Sequence, residues 1–300
     1  MNKQFELCAA VPNEIALALE DYFLENELLN WGIMQRELHD PYEVFGIFTD
    51  SGSAYTALSD LRAVFPELPH KFNEKVIEEA DWQNAYKEFL KPWNDRQLHW
   101  IPLWERETCV PPKTAVCVYL DSGMAFGTGV HETTRLCARR LLDYHEIHRD
   151  SMDELRVIDA GCGSGILALS ASALGFEKVS GFDIDPDAIA VCKQNANENP
   201  HITSPEFSTS DLETGLYGKQ ADLLLANIQT DILVPFSAQF VQSTAPFGTL
   251  ALSGILTREV EQVRKHYIAE FGRLLPEIAL DVHSREDGEW SDLQFKLFTR

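Results

Sequence analysis

The chain has 300 residues, 45% hydrophobic and 24% charged, enough for one large domain or two ordinary ones. Its 47 Asp and Glu against 25 Lys and Arg give a net charge of −22, which argues against direct nucleic-acid binding and fits a soluble protein or one with a cationic partner. Six scattered cysteines without a C-x-x-C pair, an apolar N-terminus too short for a signal peptide, and a most apolar stretch interrupted by Asp159 and four glycines point to a cytoplasmic protein without zinc, disulfides or a membrane span.

The first 80 residues read as a small module. A strand is expected at Phe5 to Ala10, then a helix opened by Pro12 and Asn13 with Ile15, Leu17, Leu19, Phe23 and Leu24 on its apolar side. Two strands follow, Trp31 to Leu38 and Val44 to Phe48, around a turn at His39-Asp40-Pro41. Ser51-Gly52-Ser53 starts a second helix bearing Tyr55, Leu58, Leu61 and Phe65, and a last strand lies near Phe72 to Ile77. The order β-α-β-β-α-β is that of a ferredoxin-like α+β sandwich. This module holds 15 acids against five bases, −10 of the −22, which gives weight to a basic partner at this end.

Residues 81–112 read as an interdomain connector: an amphipathic helix with Trp82, Tyr86 and Phe89, then Trp93, Trp100 and Trp104. Tryptophans so grouped serve either a packed joint or an aromatic ligand platform, and packing is the commoner use. From residue 113 to 300, strands and helices alternate. Strands are expected at Val116–Leu120, Arg156–Asp159, Lys178–Asp183, Glu206–Ser208, Ala221–Ala226, Thr249–Leu252, Leu275–Val282 and Leu293–Phe298. Helices begin after Thr133 and from Ile166, Pro186, Thr230 and Thr257. Such alternation implies an α/β fold, a doubly wound, mostly parallel sheet with helices on both faces.

The chemistry centres on Val157-Ile158-Asp159-Ala160-Gly161-Cys162-Gly163-Ser164-Gly165-Ile166, a strand running through a glycine-rich turn into a helix. Glycines there let a ligand approach the backbone and the helix N-terminus. Two ligands use such a turn, a dinucleotide or S-adenosylmethionine. The dinucleotide fingerprint is met only from Gly163 in its variant ending in Ala168. Asp159, two residues before the first glycine, gives instead the D-x-G-x-G-x-G pattern of class I methyltransferases. Asp183 ends the next strand, 22 residues past Gly161, where a carboxylate accepts both ribose hydroxyls. Asp185 suits a helix N-terminal charge. Asn227 ends another buried strand, facing the crevice or capping a helix. His131-Glu132-x-x-Arg135 lacks the second histidine of a zinc protease, Cys162 reads as a small buried side chain, and Tyr144-His145-x-x-His148 reads as a solvated helix face.

Taken together, Met124-Ala125-Phe126-Gly127-Thr128-Gly129-x-His131-Glu132-Thr133-Thr134, the glycine turn, Asp183-Ile184-Asp185-Pro186, Ala226-Asn227-Ile228 and Leu252-Ser253-Gly254-Ile255-Leu256 closely resemble the ribosomal protein L11 methyltransferase family over the whole chain. The resemblance implies a Rossmann-like class I methyltransferase domain behind a ferredoxin-like substrate-recognition domain. It also implies S-adenosylmethionine as cofactor, with contacts at Thr134, Gly161, Asp183 and Asn227. The implied reaction is methylation of lysine and N-terminal amines of the basic ribosomal protein; as neutral acceptors, Asn227 and neighbouring backbone carbonyls are expected to orient the amine. Ser122, Val130 and Gln229-Thr230 depart from the commoner family pattern, and the last pair lies where it bears on substrate identity. Alternatives are a methyltransferase for another basic protein, an NAD-dependent oxidoreductase using the same turn, and a non-catalytic binding module.

Overall fold

The computed structural model describes residues 3–299 apart from 27, 29, 36–40, 79–90 and 122–130. Several expectations therefore lie outside the described residues: the His39-Asp40 turn, the side chain of Leu24, most of the helix at 81–92, and the motif from Ser122 to Val130. The chain divides into two compact units, Met1–Phe89 and Leu90–Arg300. Among the described residues no helix is long and apolar enough to cross a membrane.

The first unit is built from β1 (Lys3–Val11), α1 (Asn13–Glu25), β2 (Trp31–Met34), β3 (Tyr42–Phe48), α2 (Ser51–Val64) and β4 (Asn73–Glu78). The sheet runs β2-β3-β1-β4, every pair antiparallel, which is the ferredoxin-like arrangement. Period-two alternation on β1 sends Leu7, Ala9 and Val11 into a core shared with Leu19, Phe23, Val44 and Leu58. Trp31 completes it, stacked on Phe23 and edge-on to Phe48; a Cβ on Gly46 would lie 2.6 Å from its ring, so only glycine fits beneath it. Asp50 caps α2 by accepting from Ser53 N–H at 2.9 Å. Two residues expected on apolar helix faces are instead exposed, Leu17 at 61% and Tyr55 at 46%. The core is filled from neighbouring helical positions, Ala16 and Leu19 on α1 and Ala54 and Leu58 on α2.

The second unit holds two sheets. A small one, β5-β6-β7, comprises β5 (Trp93–Asp95), β6 (Leu98–Pro102) and β7 (Val116–Leu120). β7 therefore does not join the large sheet, as the alternation suggested, but pairs in parallel with β6. From Trp93 onward the tryptophan-rich stretch belongs to this unit. Trp93 stacks on Trp100 at 3.8 Å, and Trp100, 2% exposed, donates from Nε1 to Ser170 Oγ at 2.8 Å.

The large sheet has the order β10-β9-β8-β11-β12-β14-β13. Its elements are α3 (Glu132–Ile147), β8 (Arg156–Ala160), α4 (Ile166–Ala173), β9 (Lys178–Asp183), α5 (Pro186–Glu198), β10 (Glu206–Thr209), α6 (Leu212–Leu216), β11 (Ala221–Asn227), α7 (Thr230–Leu233), α8 (Ser237–Ser243), β12 (Thr244–Leu256), α9 (Val260–Leu274), β13 (Ile278–Asp287) and β14 (Trp290–Thr299). Strands β10 to β12 are parallel, and β14 and β13 add an antiparallel edge. The single helix expected from Thr230 is split in two, α7 and α8. The central strands are buried on both faces, which is why they read as unbroken apolar runs. Val157, Leu223 and Leu225 share one core with Leu141 and Leu167, while Ile158, Leu224 and Ala226 share the other with Phe240, Tyr267 and Phe295. Each fully buried Leu or Phe contributes about 1.5–3 kcal/mol.

Helix α3 is more deeply set than its charge suggested. Tyr144 and His145 are 3% and 8% exposed and pack on Phe176, so this stretch is core and not a solvated face. Arg140, 3% exposed, forms a two-point ion pair with buried Asp292 of β14 at 2.7 and 2.6 Å and donates to Gln294 Oε1 at 3.2 Å, pinning α3 to the antiparallel edge.

Candidate active site

The parallel strands β8 to β12 end on one side, and their carboxyl ends line a cleft of about 590 Å³. The glycine turn joins β8 to α4, with positive φ at Gly161 (68°), Gly163 (52°) and Gly165 (80°). Gly161 and Cys162 N–H both donate to Phe182 O, at 2.9 and 3.0 Å, and Gly163 N–H donates to Asp183 Oδ2 at 2.9 Å. The turn is thus laced to the end of β9. A Cβ on Gly161 would lie 2.9 Å from Ile228 Cδ1, so a side chain here meets the cleft wall as well as an unfavourable φ.

Asp159, 1% exposed, sits under the turn and caps α4, its Oδ2 accepting from Ala168 N–H at 3.0 Å, while Oδ1 is buried without a partner. Burial, opposed by the Ala168 hydrogen bond and aided by the Asp183 charge, pushes its pKa up to about 7. Asp183 accepts a second backbone N–H, from Asp185, at 3.0 Å. Two oxygens with about four acceptor directions leave it able to take further hydroxyls from the cleft. Asp185 caps α5 by accepting from Asp187 N–H at 2.8 Å, as its position suggested.

Asn227 is half-buried at the end of β11. Its Nδ2 donates to Thr134 Oγ1 at 3.3 Å, and its Oδ1 is buried without a partner. The following helix α7 starts after Gln229 without a side-chain cap, so Asn227 is not its N-cap. At the start of α3, His131 accepts Thr133 N–H on Nδ1 at 3.3 Å and meets Trp290 edge-on at 5.2 Å. Ser253 of β12 donates to Thr133 O at 2.9 Å and fixes the helix start against the sheet.

Of the four cofactor positions expected, Gly161, Asp183 and Asn227 line the cleft together. Thr134, 1% exposed, lies behind them and holds Asn227. Cys162 is buried away from chemistry, its Sγ 3.6 Å from Cys192 Sγ; that contact and burial push its thiol pKa up. The cleft contains Gln229, where the sequence placed a bearing on substrate identity, and also residues given no role from the sequence, among them His131, Asp211, Phe236 and Trp290. Asp211 had a signal, an acid just past a predicted parallel strand. Hydrogen bonds from Thr214 hold its carboxyl below the usual carboxylate range. Trp290, one of the positions with a counterpart in the family, arrives through the antiparallel hairpin, far along the chain from the glycine turn.

Residues 9–297 match the family described as ribosomal protein L11 methyltransferase (PrmA). The chain belongs to this family. A ribosomal protein L11 methyltransferase of Hydrogenovibrio crunogenus is 35% identical over 256 residues, 84% of this chain and 80% of the relative. That of Thermoanaerobacter pseudethanolicus is 33% identical over 273 residues, 87% of this chain and 83% of the relative. Among solved structures, ribosomal protein L11 methylase from Lactobacillus delbrueckii subsp. bulgaricus superposes with a TM-score of 0.57 at 27% identity, covering 69% of this chain and 98% of its own. Membership makes the chain a methyltransferase.

Proposed function

We propose that the chain transfers methyl groups from S-adenosylmethionine to lysine and N-terminal amines of ribosomal protein L11. The observation that carries this reading is the meeting, in one cleft, of a glycine turn, the Asp183 carboxylate and the buried, unpartnered Oδ1 of Asn227. The donor set fits the cofactor: Asp183 offers acceptors for vicinal ribose hydroxyls, and the Gly161 and Gly163 backbones admit close approach. Ile184 and Leu212 offer apolar walls for a flat base. When bound, that cofactor supplies an electrophilic methyl on a sulfonium, and alignment is then the main task of the protein.

The attacking amine must be neutral. A free lysine, with a pKa near ~10.4, is neutral in about one molecule in 2,500 at pH 7. Apolar walls such as Ile228, Ile232 and Phe236 disfavour the ammonium form and lower that pKa. Asn227 Oδ1 is a neutral acceptor suited to orient an amine N–H without trapping a cation. His131 Nδ1 is already engaged, accepting Thr133 N–H at 3.3 Å and lying 2.9 Å from Thr133 Oγ1.

In this proposal residues 1–80 capture the substrate, residues 81–112 connect, and residues 113–300 hold the cofactor. The charge of −10 on the first module suits a basic ribosomal protein, and a ribosomal substrate sets the work in the cytoplasm. The test is mass spectrometry of L11 from cells with and without the gene. Whole methyl increments that vanish without it support the reading; identical L11 masses with a change on another basic protein replace the substrate.

A further inference from the structure

Strand β7 has β6 on one side, and helix α5 meets it through two side chains that stand in for a second strand. Asn199, just past the end of α5, is fully buried; its Oδ1 accepts Tyr119 N–H at 2.8 Å and its Nδ2 donates to Tyr119 O at 2.7 Å. This is the two-point pairing a neighbouring backbone would supply. One turn earlier, Asn195 is equally buried but its amide is divided. Its Oδ1 accepts Asp121 N–H, just past β7, at 2.9 Å, and its Nδ2 donates to Ser164 O at 2.9 Å. Ser164 lies within the glycine turn, between Gly163 and Gly165.

The turn needs such support. Three glycines at positive φ have weak conformational preferences of their own, so hydrogen bonds from outside must fix the peptide planes. The N–H groups of Gly161 and Cys162 are held by Phe182 O and that of Gly163 by Asp183, while Gly165 N–H closes on Cys162 O at 2.8 Å. Two of its carbonyls are held from α5: Gly163 O accepts from Cys192 Sγ at 3.1 Å and Ser164 O from Asn195. We infer that Asn195 is a positioning residue for cofactor binding, fixing the Ser164 peptide, and with it the cleft-lining glycine backbone, to the end of β7. This rests on the reading that the turn holds S-adenosylmethionine. Asn199 supplies the contrast, since its side chain reaches Tyr119 and the Asn195 carbonyl, which lie outside the turn.

The experiment compares the full chain with Asn195→Asp, Asn195→Ala and Asn199→Asp by calorimetric titration with S-adenosylhomocysteine, thermal melts and steady-state kinetics. Asn195→Asp keeps an acceptor for Asp121 N–H but turns an oxygen toward Ser164 O; Asn195→Ala removes the bond without adding charge and serves if the first variant does not fold. Both Asn195 variants are expected to raise Kd and cofactor KM by about tenfold or more. At saturating cofactor kcat stays within about threefold, the signature of lost binding rather than lost chemistry. Asn199→Asp is expected to lower Tm while leaving Kd within about threefold. Wild-type affinity in a folded Asn195 variant, or an equal loss in Asn199→Asp, overturns the inference alone. Failure of the wild-type chain to bind S-adenosylhomocysteine overturns the cofactor reading, and the inference with it.

Discussion

Exchanging Asp159 for asparagine removes a titratable proton from beneath the glycine turn while keeping an acceptor for Ala168 N–H. The carboxyl is 1% exposed, has one hydrogen bond on Oδ2 and none on Oδ1, and its pKa is raised from 3.8 to about 7. The folded protein therefore keeps this proton up to about pH 7, whereas the unfolded chain releases it near 3.8. Between those values the unfolded state binds fewer protons, so rising pH costs stability at about 1.4 kcal/mol per pH unit. From pH 5 to the folded pKa that is two units, and the loss is complete above it. Asp159→Asn should thus gain about 3 kcal/mol relative to wild type between pH 5 and pH 8. Urea unfolding of both proteins at both pH values, followed by tryptophan fluorescence, measures the difference, in which most other titrations cancel. A wild-type-to-variant difference constant within about 0.5 kcal/mol refutes the reasoning and assigns Asp159 an ordinary pKa.

Asp183→Ala should weaken S-adenosylhomocysteine binding by about 1–3 kcal/mol, read by calorimetry; unchanged affinity in a folded variant removes Asp183 from the ribose. Asp292→Leu strands the buried Arg140 guanidinium and should cost about 3–5 kcal/mol in chemical denaturation, most of it recovered by adding Arg140→Met. A fragment Leu90–Arg300 should bind cofactor like the full chain yet largely lose methylation of intact L11. It must begin before Trp93, because starting at Asp95 strips the stacking partner from Trp100. Full-rate methylation by that fragment takes substrate capture away from the acidic unit.

What the sequence disclosed was local. A buried strand, a run of glycines and a helix start are neighbours in the chain, so the turn at Gly161–Gly165 and the acid at Asp183 could be read directly. The partners of strands could not. Nothing in Val116–Leu120 distinguishes a strand of the large sheet from one paired with Leu98–Pro102, since both need the same apolar pattern. The hairpin from Trp93 to Pro102 was hidden because its turn puts Arg96 at φ 49° without the glycine or asparagine that marks such turns. Asn195 and Asn199 look like a polar helix end, and Asp159 like a sequence motif. Their roles lie in which backbone groups reach them across the fold.

The antiparallel edge has a consequence for the order in which the protein is made. Among the described residues β13 pairs only with β14, and β14 occupies the place between β12 and β13. As the chain emerges from its own ribosome, β13 has no strand to pair with until β14 has been synthesised, and the two must dock on β12 as a hairpin. Trp290, at the start of β14, comes with that hairpin to its place beside His131. The turn, Asp183 and Asn227 are all translated earlier, on strands that already pair among themselves. A nascent enzyme thus assembles the floor of its cleft first and gains its Trp290 wall afterwards.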